Sequence, residues 1–333
     1  MEKVNVSITV DTEHSIGGAF SSSNLRPVGN EKRVFGKVGK DSYGIPRIMD
    51  IAEAHGIRLT FFVEVLNKYY FGEEETRSVC EYILNRGHDI QLHLHPNYLS
   101  FVAGQILGQR YSDLIGTYSL SDQTWLIEEG VNTLKKYGVP NPVAFRAGCY
   151  GANQDTLTAL KRNRIWIDSS YNHAYLGKTC LLNDLRINDV KHVLENVWEF
   201  PITNFVEKTR VRAKRFMPLD INGVSFHETK YVLNWARLKG VRSVTIILHS
   251  FSFLKHYDVQ YQKSKPRFHI IQRFRKICQY LYENTHLYEL RTLGSFTPGE
   301  LHVFNPRTSA SFPEIPTPLS MLRGIQQLKD RIF

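Results

Sequence analysis

The chain predicts an α/β barrel. Three observations carry this. Short apolar or alternating runs rich in β-branched residues recur along the sequence, and stretches of helical spacing alternate with them. Seven or eight such units fit within 333 residues. Alternation of this kind implies parallel strands, and that many units suit a barrel better than an open sheet.

The elements follow in order. "VNVSITV" (4–10) alternates and reads as the first strand. "GIPRIMDIAEAHG" (44–56) has helical spacing and stops at Gly56, and "LTFFV" (59–63) is the next strand. A helix around 75–86 ends at Gly87 and precedes the strand "DIQLHLH" (89–95). The helix 121–138 opens on Ser121 or Asp122 as a cap and ends at Gly138. Then come strand 143–148, helix 154–163, and strands 165–170 and 197–203. Helix 227–240, strand 243–250, a helix near 267–284 and a strand near 287–292 complete the series. These assign residues 1–296 to the barrel. Residues 297–333, with several prolines and an amphipathic end, form a C-terminal extension, either packed on the barrel or a flexible tail. Residues 14–43 are rich in Gly, Ser and Lys, and a long loop in that position suits a lid.

Composition narrows the class. With 42% hydrophobic and 12% aromatic residues the chain can build a large core. No window approaches the ~20 apolar residues of a membrane span. The start "MEKVNVSITVDTE" lacks the pattern of a signal peptide. Cys80, Cys149, Cys180 and Cys278 are scattered, which suits reduced thiols and a cytoplasmic location. The formal net charge is +10, with basic runs at 207–216 and 263–276. Such runs are either solvated faces or an attraction for an anionic sugar conjugate or membrane surface. No nucleic-acid-binding motif accompanies them.

Chemistry-bearing residues gather where apolar strands end: "VDTE" (10–13), "HLH" (93–95), "FRAG" (145–148), "IDSS" (167–170) and "ILHS" (247–250). In an α/β barrel those ends form the active face. His93 and His95 are two apart and so share one face of a strand. They are either ligands to a metal ion or satisfied core histidines. Two imidazoles and a carboxylate can hold a divalent ion with a position left open. An Asp can act as base, a histidine from another strand as acid, and an arginine can hold the base in place. Metal-assisted hydrolysis of an amide or ester uses that set. Tyr98, Tyr150 and Trp198 could stack on a sugar ring, although aromatic residues in such positions are more often core.

The ordered set resembles the NodB-homology polysaccharide deacetylases, carbohydrate esterase family 4. "SITVDTE", "IPRIMDIAEAHGIRLTFFV", "RGHDIQLHLHP", "FRAGCYG", "IDSS" and "TIILHS" follow that family's motifs in order over about residues 4–292. The resemblance implies a distorted (β/α)7 barrel that deacetylates an N-acetylated sugar, with a divalent metal, zinc first and cobalt or manganese as alternatives. It implies Asp11 as base, His93 and His95 as metal ligands, Arg146 orienting the base and His249 as general acid. Asp168 would tune His249 or a neighbour, and the Cys149 backbone N–H, beside Tyr150, would receive the oxyanion. The family carries an aspartate ligand where this chain has Thr12. Glu13 is expected to replace it. The histidine spacing is also shorter than the family's. A cytoplasmic enzyme of this type would act on a nucleotide- or lipid-linked precursor of cell-surface polysaccharide. Two alternatives stay open: a metal-independent, allantoinase-like hydrolase of cyclic amides, and a non-catalytic saccharide-binding barrel.

Overall fold

The computed structural model describes residues 2–102, 104–207, 214–304 and 311–332. Nine strands form its main sheet. They are β1 (Val4–Thr12), β2 (Thr60–Glu64), β3 (Asp89–Leu94), β4 (Ala144–Ala147), β5 (Ile167–Asp168), β6 (Lys191–Leu194), β7 (Val197–Glu199), β8 (Ser243–His249) and β9 (Tyr288–Leu290). Their order is β6-β7-β5-β4-β3-β2-β1-β8, with β9 beside the start of β1. Every pairing is parallel except the β6–β7 hairpin.

Around the sheet lie α1 (Ile45–Glu53), α2 (Glu73–Asn85), α3 (Leu120–Lys136), α4 (Gln154–Arg162), α5 (Phe226–Lys239), α6 (Phe268–Glu283) and α7 (Thr317–Ile332). The strand–helix alternation expected from the sequence is present, in a strongly curled sheet that makes a distorted barrel. The last seam closes through a few bonds rather than a continuous ladder. Thr203 N–H donates to Thr245 O at 3.2 Å and Ile221 N–H to Ile247 O at 3.0 Å.

Local chemistry explains the element boundaries. The helix expected to begin at Ser121 or Asp122 is instead capped by Ser119, whose hydroxyl accepts from Asp122 N–H at 3.2 Å. Asp122 sits inside the first turn, where its charge complements the helix dipole. Ser225 and Glu228 form a reciprocal capping box on α5, and Gly240 ends that helix in the left-handed region at φ 67°. The strands expected over 165–170 and 197–203 are shorter in the structure, at Ile167–Asp168 and Val197–Glu199. Beyond those points Ser169, Ser170, Thr203 and Asn204 add side-chain bonds to the remaining backbone ones.

Strand register sorts the two faces of the sheet. Asp11 is level with His249 and Phe62, Glu64 with His93, His93 with Arg146, and Ala144 with Ile167. Residues level in parallel strands point the same way, so these line the barrel interior. The alternate residues, such as Val10, Phe61, Val63, Leu92 and Phe145, enter the main core. A second cluster of Phe62, Ala144, Ile167, Trp198 and Phe200 is sealed by Leu293, Phe296 and Leu301. The interior therefore has an apolar floor and a polar upper end at the carboxyl ends of the strands.

The segment beyond residue 296 packs on this body. Glu314–Ile315 adds a strand beside Asn204–Glu207, in a small sheet that also holds Arg215–Pro218. Arg323, on α7, pairs with Glu207 and lies 3.4 Å from Glu228 Oε1. All four cysteines are free. No described helix is long and apolar enough to cross a membrane. Most of the basic run at 207–216 lies outside the described residues. In the second run, Arg273 is buried and donates to Ile221 O at 2.6 Å.

Candidate active site

The polar end of the barrel is built around Arg146, which is fully buried on β4. Its Nη1 donates to Asp11 Oδ1 at 2.5 Å and to Thr9 Oγ1 at 3.0 Å. Its Nε and Nη2 donate to Ser169 O at 3.0 Å and to Ser169 Oγ at 2.9 Å. The guanidinium lies 4.1 Å from the centre of the Phe62 ring. A buried charge needs this full set of partners, and Arg146 in turn fixes the Asp11 carboxylate. The other Asp11 oxygen faces His249, with Nε2 4.0 Å from Oδ2.

Beside this pair, Glu13, His93 and His95 converge. Their candidate ligand atoms all lie within 4.8 Å of one another. Glu13 Oε2 is 3.4 Å from His93 Nε2 and 2.7 Å from His95 Nε2. His93 Nδ1 lies 2.8 Å from Arg146 O, and His95 Nδ1 lies 2.9 Å from Asp113 Oδ1. An Nδ1–H held by an oxygen leaves Nε2 as the free lone pair, the usual arrangement of a metal-ligating histidine. Both imidazoles thus point Nε2 at the same carboxylate oxygen, and the donor set fits a divalent ion of the zinc type. The i,i+2 spacing suffices for this convergence. Thr12 faces away from the site, its hydroxyl donating to Val10 O at 3.3 Å.

The electrostatics are consistent with tight coupling. Burial pushes the Glu13 carboxyl up, but His95, His93 and Arg33 outweigh it and hold the group well below its ordinary value. Burial works against charge on His95 too, and Asp113 and Glu13 overcome it, raising that imidazole well above its ordinary value. Burial lifts Glu64, at the end of β2, to about 7. Its oxygens accept from Leu66 and Asn67 N–H at 2.7 and 2.9 Å.

The turn after β4 forms one wall. Cys149 and Tyr150 both have positive φ, 53° and 60°. Two successive non-glycine residues there are strained, and such strain is characteristic of functional turns. Gly148 just before them is required by space: a Cβ would meet His95 Nδ1 and Leu94 O, each at 2.7 Å. Cys149 is exposed, with Sγ 3.5 Å from Asp113 Oδ2. Tyr150 is half-buried and packs on Tyr175 at 5.1 Å between ring centres.

No protein-family model matches this sequence, and no curated protein matches it. Solved structures do. A protein from Mycobacterium smegmatis, whose assignment as a polysaccharide deacetylase is itself provisional, is 14% identical, with 94% of this chain and 96% of that one covered, at a TM-score of 0.53. The chain has the fold of the polysaccharide deacetylases. The same fold extends to a 4-α-glucanotransferase from Thermococcus litoralis, 11% identical, with 99% of this chain and 47% of that one covered, at a TM-score of 0.51. Likeness at this level concerns the backbone, and the reaction has to be argued from the side chains.

Within this deacetylase fold, Asp11, Glu13, His93, His95, Arg146 and His249 come together, with Cys149 and Tyr150 at the rim. Asp168 stands apart. It is level with Phe145 and Glu199, on the helix-facing side of the sheet, and accepts from Ser170 Oγ at 2.6 Å. Burial and the charge of Asp168 raise Glu199 well above its ordinary value. Asp220, whose backbone is bridged to Ile247, is a second carboxylate near His249 besides Asp11. Strand alternation is the physical reason, because it turns Ser169 inward to Arg146 and Asp168 outward. Tyr98 and Trp198 are core residues, each 2% exposed, and offer no face to a sugar.

Sequence reading missed Arg33, Glu64, Asp113 and Asp220. Arg33 ends a short helix, Asn30–Arg33, in the segment after β1. It donates to Glu13 Oε1 at 2.8 Å and lies 3.3 Å over the Phe251 ring. Glu64 obeys the strand-end rule that singled out the others and was legible. Asp113 and Asp220 sit in irregular segments, where no periodicity marks them.

Proposed function

We propose that the chain is a metal-dependent hydrolase that removes the acetyl group from an N-acetylated sugar. The observation that carries this is the convergence of Glu13 Oε2, His93 Nε2 and His95 Nε2 beside the Arg146-clamped Asp11. Glu13, His93 and His95 would hold the divalent cation, zinc first by its donor set, which supplies Lewis acidity toward the amide carbonyl oxygen. Asp11 takes the proton of the attacking water, and Arg146 keeps that carboxylate aimed at it. His249, across from Asp11, delivers a proton to the departing sugar amine. The Cys149 N–H, set by the strained turn, donates to the developing oxyanion. Tyr150 and Tyr175 give a sugar ring an aromatic wall. A cytoplasmic setting and a nucleotide- or lipid-linked precursor as substrate belong to the same proposal.

The test is acetate release from a panel of N-acetyl sugars and their conjugates, with Zn²⁺, Co²⁺ or Mn²⁺ supplied. Asp11→Asn should lower kcat by about 10² to 10⁴. Sugars that bind without releasing acetate from any member of the panel would instead support a saccharide-binding barrel. One observation favours a metal-independent hydrolase: Arg33 already neutralises Glu13 through Oε1. His93→Ala separates the two enzymes, because only the metal-independent one stays active when metal-free.

A further inference from the structure

A cleft of about 860 Å³ opens beside the site, between the segment that follows β5 and the strand Arg215–Pro218. Its lining includes Lys178, Arg186, Lys214 and Arg215, all four exposed. The described carboxylates at this cleft are Glu314, 3.1 Å from Lys214, and Asp220 at the inner end. Both ends connect to the catalytic centre. Asp220 is bridged to Ile247, two residues before His249, and Tyr175 in the cleft wall packs on Tyr150. Lys214 is paired with Glu314, and a neutral saccharide would bring no counter-charge to Lys178, Arg186 and Arg215, which line the same cleft. A substrate whose sugar ring rests on Tyr150 and Tyr175 would place its next substituent in this cleft.

We infer that the basic cleft binds the diphosphate of a sugar diphosphate conjugate, so that the substrate class is an activated sugar rather than a neutral polymer. Arginine is well matched to phosphate through paired N–H donors, and Lys178 and Lys214 add point charge. This deepens the deacetylase reading and rests on it for the identity of the reacting group. The same diphosphate could belong to a nucleotide or to a polyprenyl lipid.

Calorimetry on the full chain with inorganic pyrophosphate, UDP and farnesyl diphosphate tests it. All three should bind, more weakly as salt rises. A clear gain for UDP over pyrophosphate marks a nucleotide conjugate, and a gain for farnesyl diphosphate a lipid one. Arg186→Ala and Arg215→Ala should each weaken binding about tenfold, the loss of a charge-assisted hydrogen bond. Lys191→Ala, an exposed cation on β6 away from the cleft, should not. No binding of any of the three, or unchanged binding in both arginine variants, overturns the inference. Acetate release from neutral N-acetyl oligosaccharides by a protein that binds no diphosphate would leave the deacetylase reading intact and remove the cleft. Diphosphate binding with no acetate from any sugar would do the reverse.

Discussion

His95 shows how much one residue depends on partners far away in sequence. Its Nε2 faces Glu13 and its Nδ1 faces Asp113. If Asp113 fixes the ring for a cation, Asp113→Asn should weaken cation affinity by about ten- to a hundredfold, read by competition with a chromophoric chelator. An unchanged affinity would make Asp113 a bystander. The same contacts set a pH dependence in metal-free protein. Glu13 is depressed below 4.5, so its stabilisation is present above that pH and is lost as the pH falls through its folded value. His95 is raised above 6.5, so its stabilisation is complete below that pH and is lost as the pH rises through its folded value. Their joint contribution is therefore largest between 4.5 and 6.5. Urea unfolding of chelator-treated protein across pH should show this, and His95→Gln should flatten the alkaline decline.

At the scale of elements, the site depends on strand register and on one close turn. β1 and β8 run level so that Asp11 meets His249, and a shift of one residue would turn both carboxylate and imidazole out to the helices. The turn after β4 has no room beside Gly148. Gly148→Ala should displace His95, cost about 1–3 kcal/mol of stability through overpacking and lower cation affinity. Thermal unfolding together with chelator competition would measure both. Stability loss with normal cation affinity would show that His95 tolerates the shift. The registers of β5 and β7 explain the candidate acid that went elsewhere. "IDSS" suggests a strand-end acid, but only the paired position of Ile167 with Ala144 shows that Asp168 faces outward.

For the whole molecule, the extension beyond residue 296 acts as a strap. Ile315 is buried in the main core, and Arg323 reaches both Glu207 and the fully buried Glu228. Removing that cation strands a buried carboxylate, so Arg323→Ala should cost about 3 kcal/mol in urea unfolding. A loss below 0.5 kcal/mol, the range of ordinary surface substitutions, would mean that the strap is held by packing alone. The basic runs differ in role. Arg273 is structural and supports the segment carrying Asp220, whereas Arg215 faces an open cleft together with Arg186 from outside the runs.

The sequence by itself determined the barrel class and the order of its elements, because strand and helix periodicity and glycine stops are local properties of the chain. It also marked Asp11, Glu13, His93, His95, Arg146 and His249, because each follows an apolar run and strand ends converge in a barrel. Only the tertiary structure supplied Arg33 from a single-turn helix and Asp113 and Asp220 from irregular segments, and turned Asp168 away. Loops carry no periodicity to fix where a side chain points, and the facing of a two-residue strand is decided by the neighbours it pairs with.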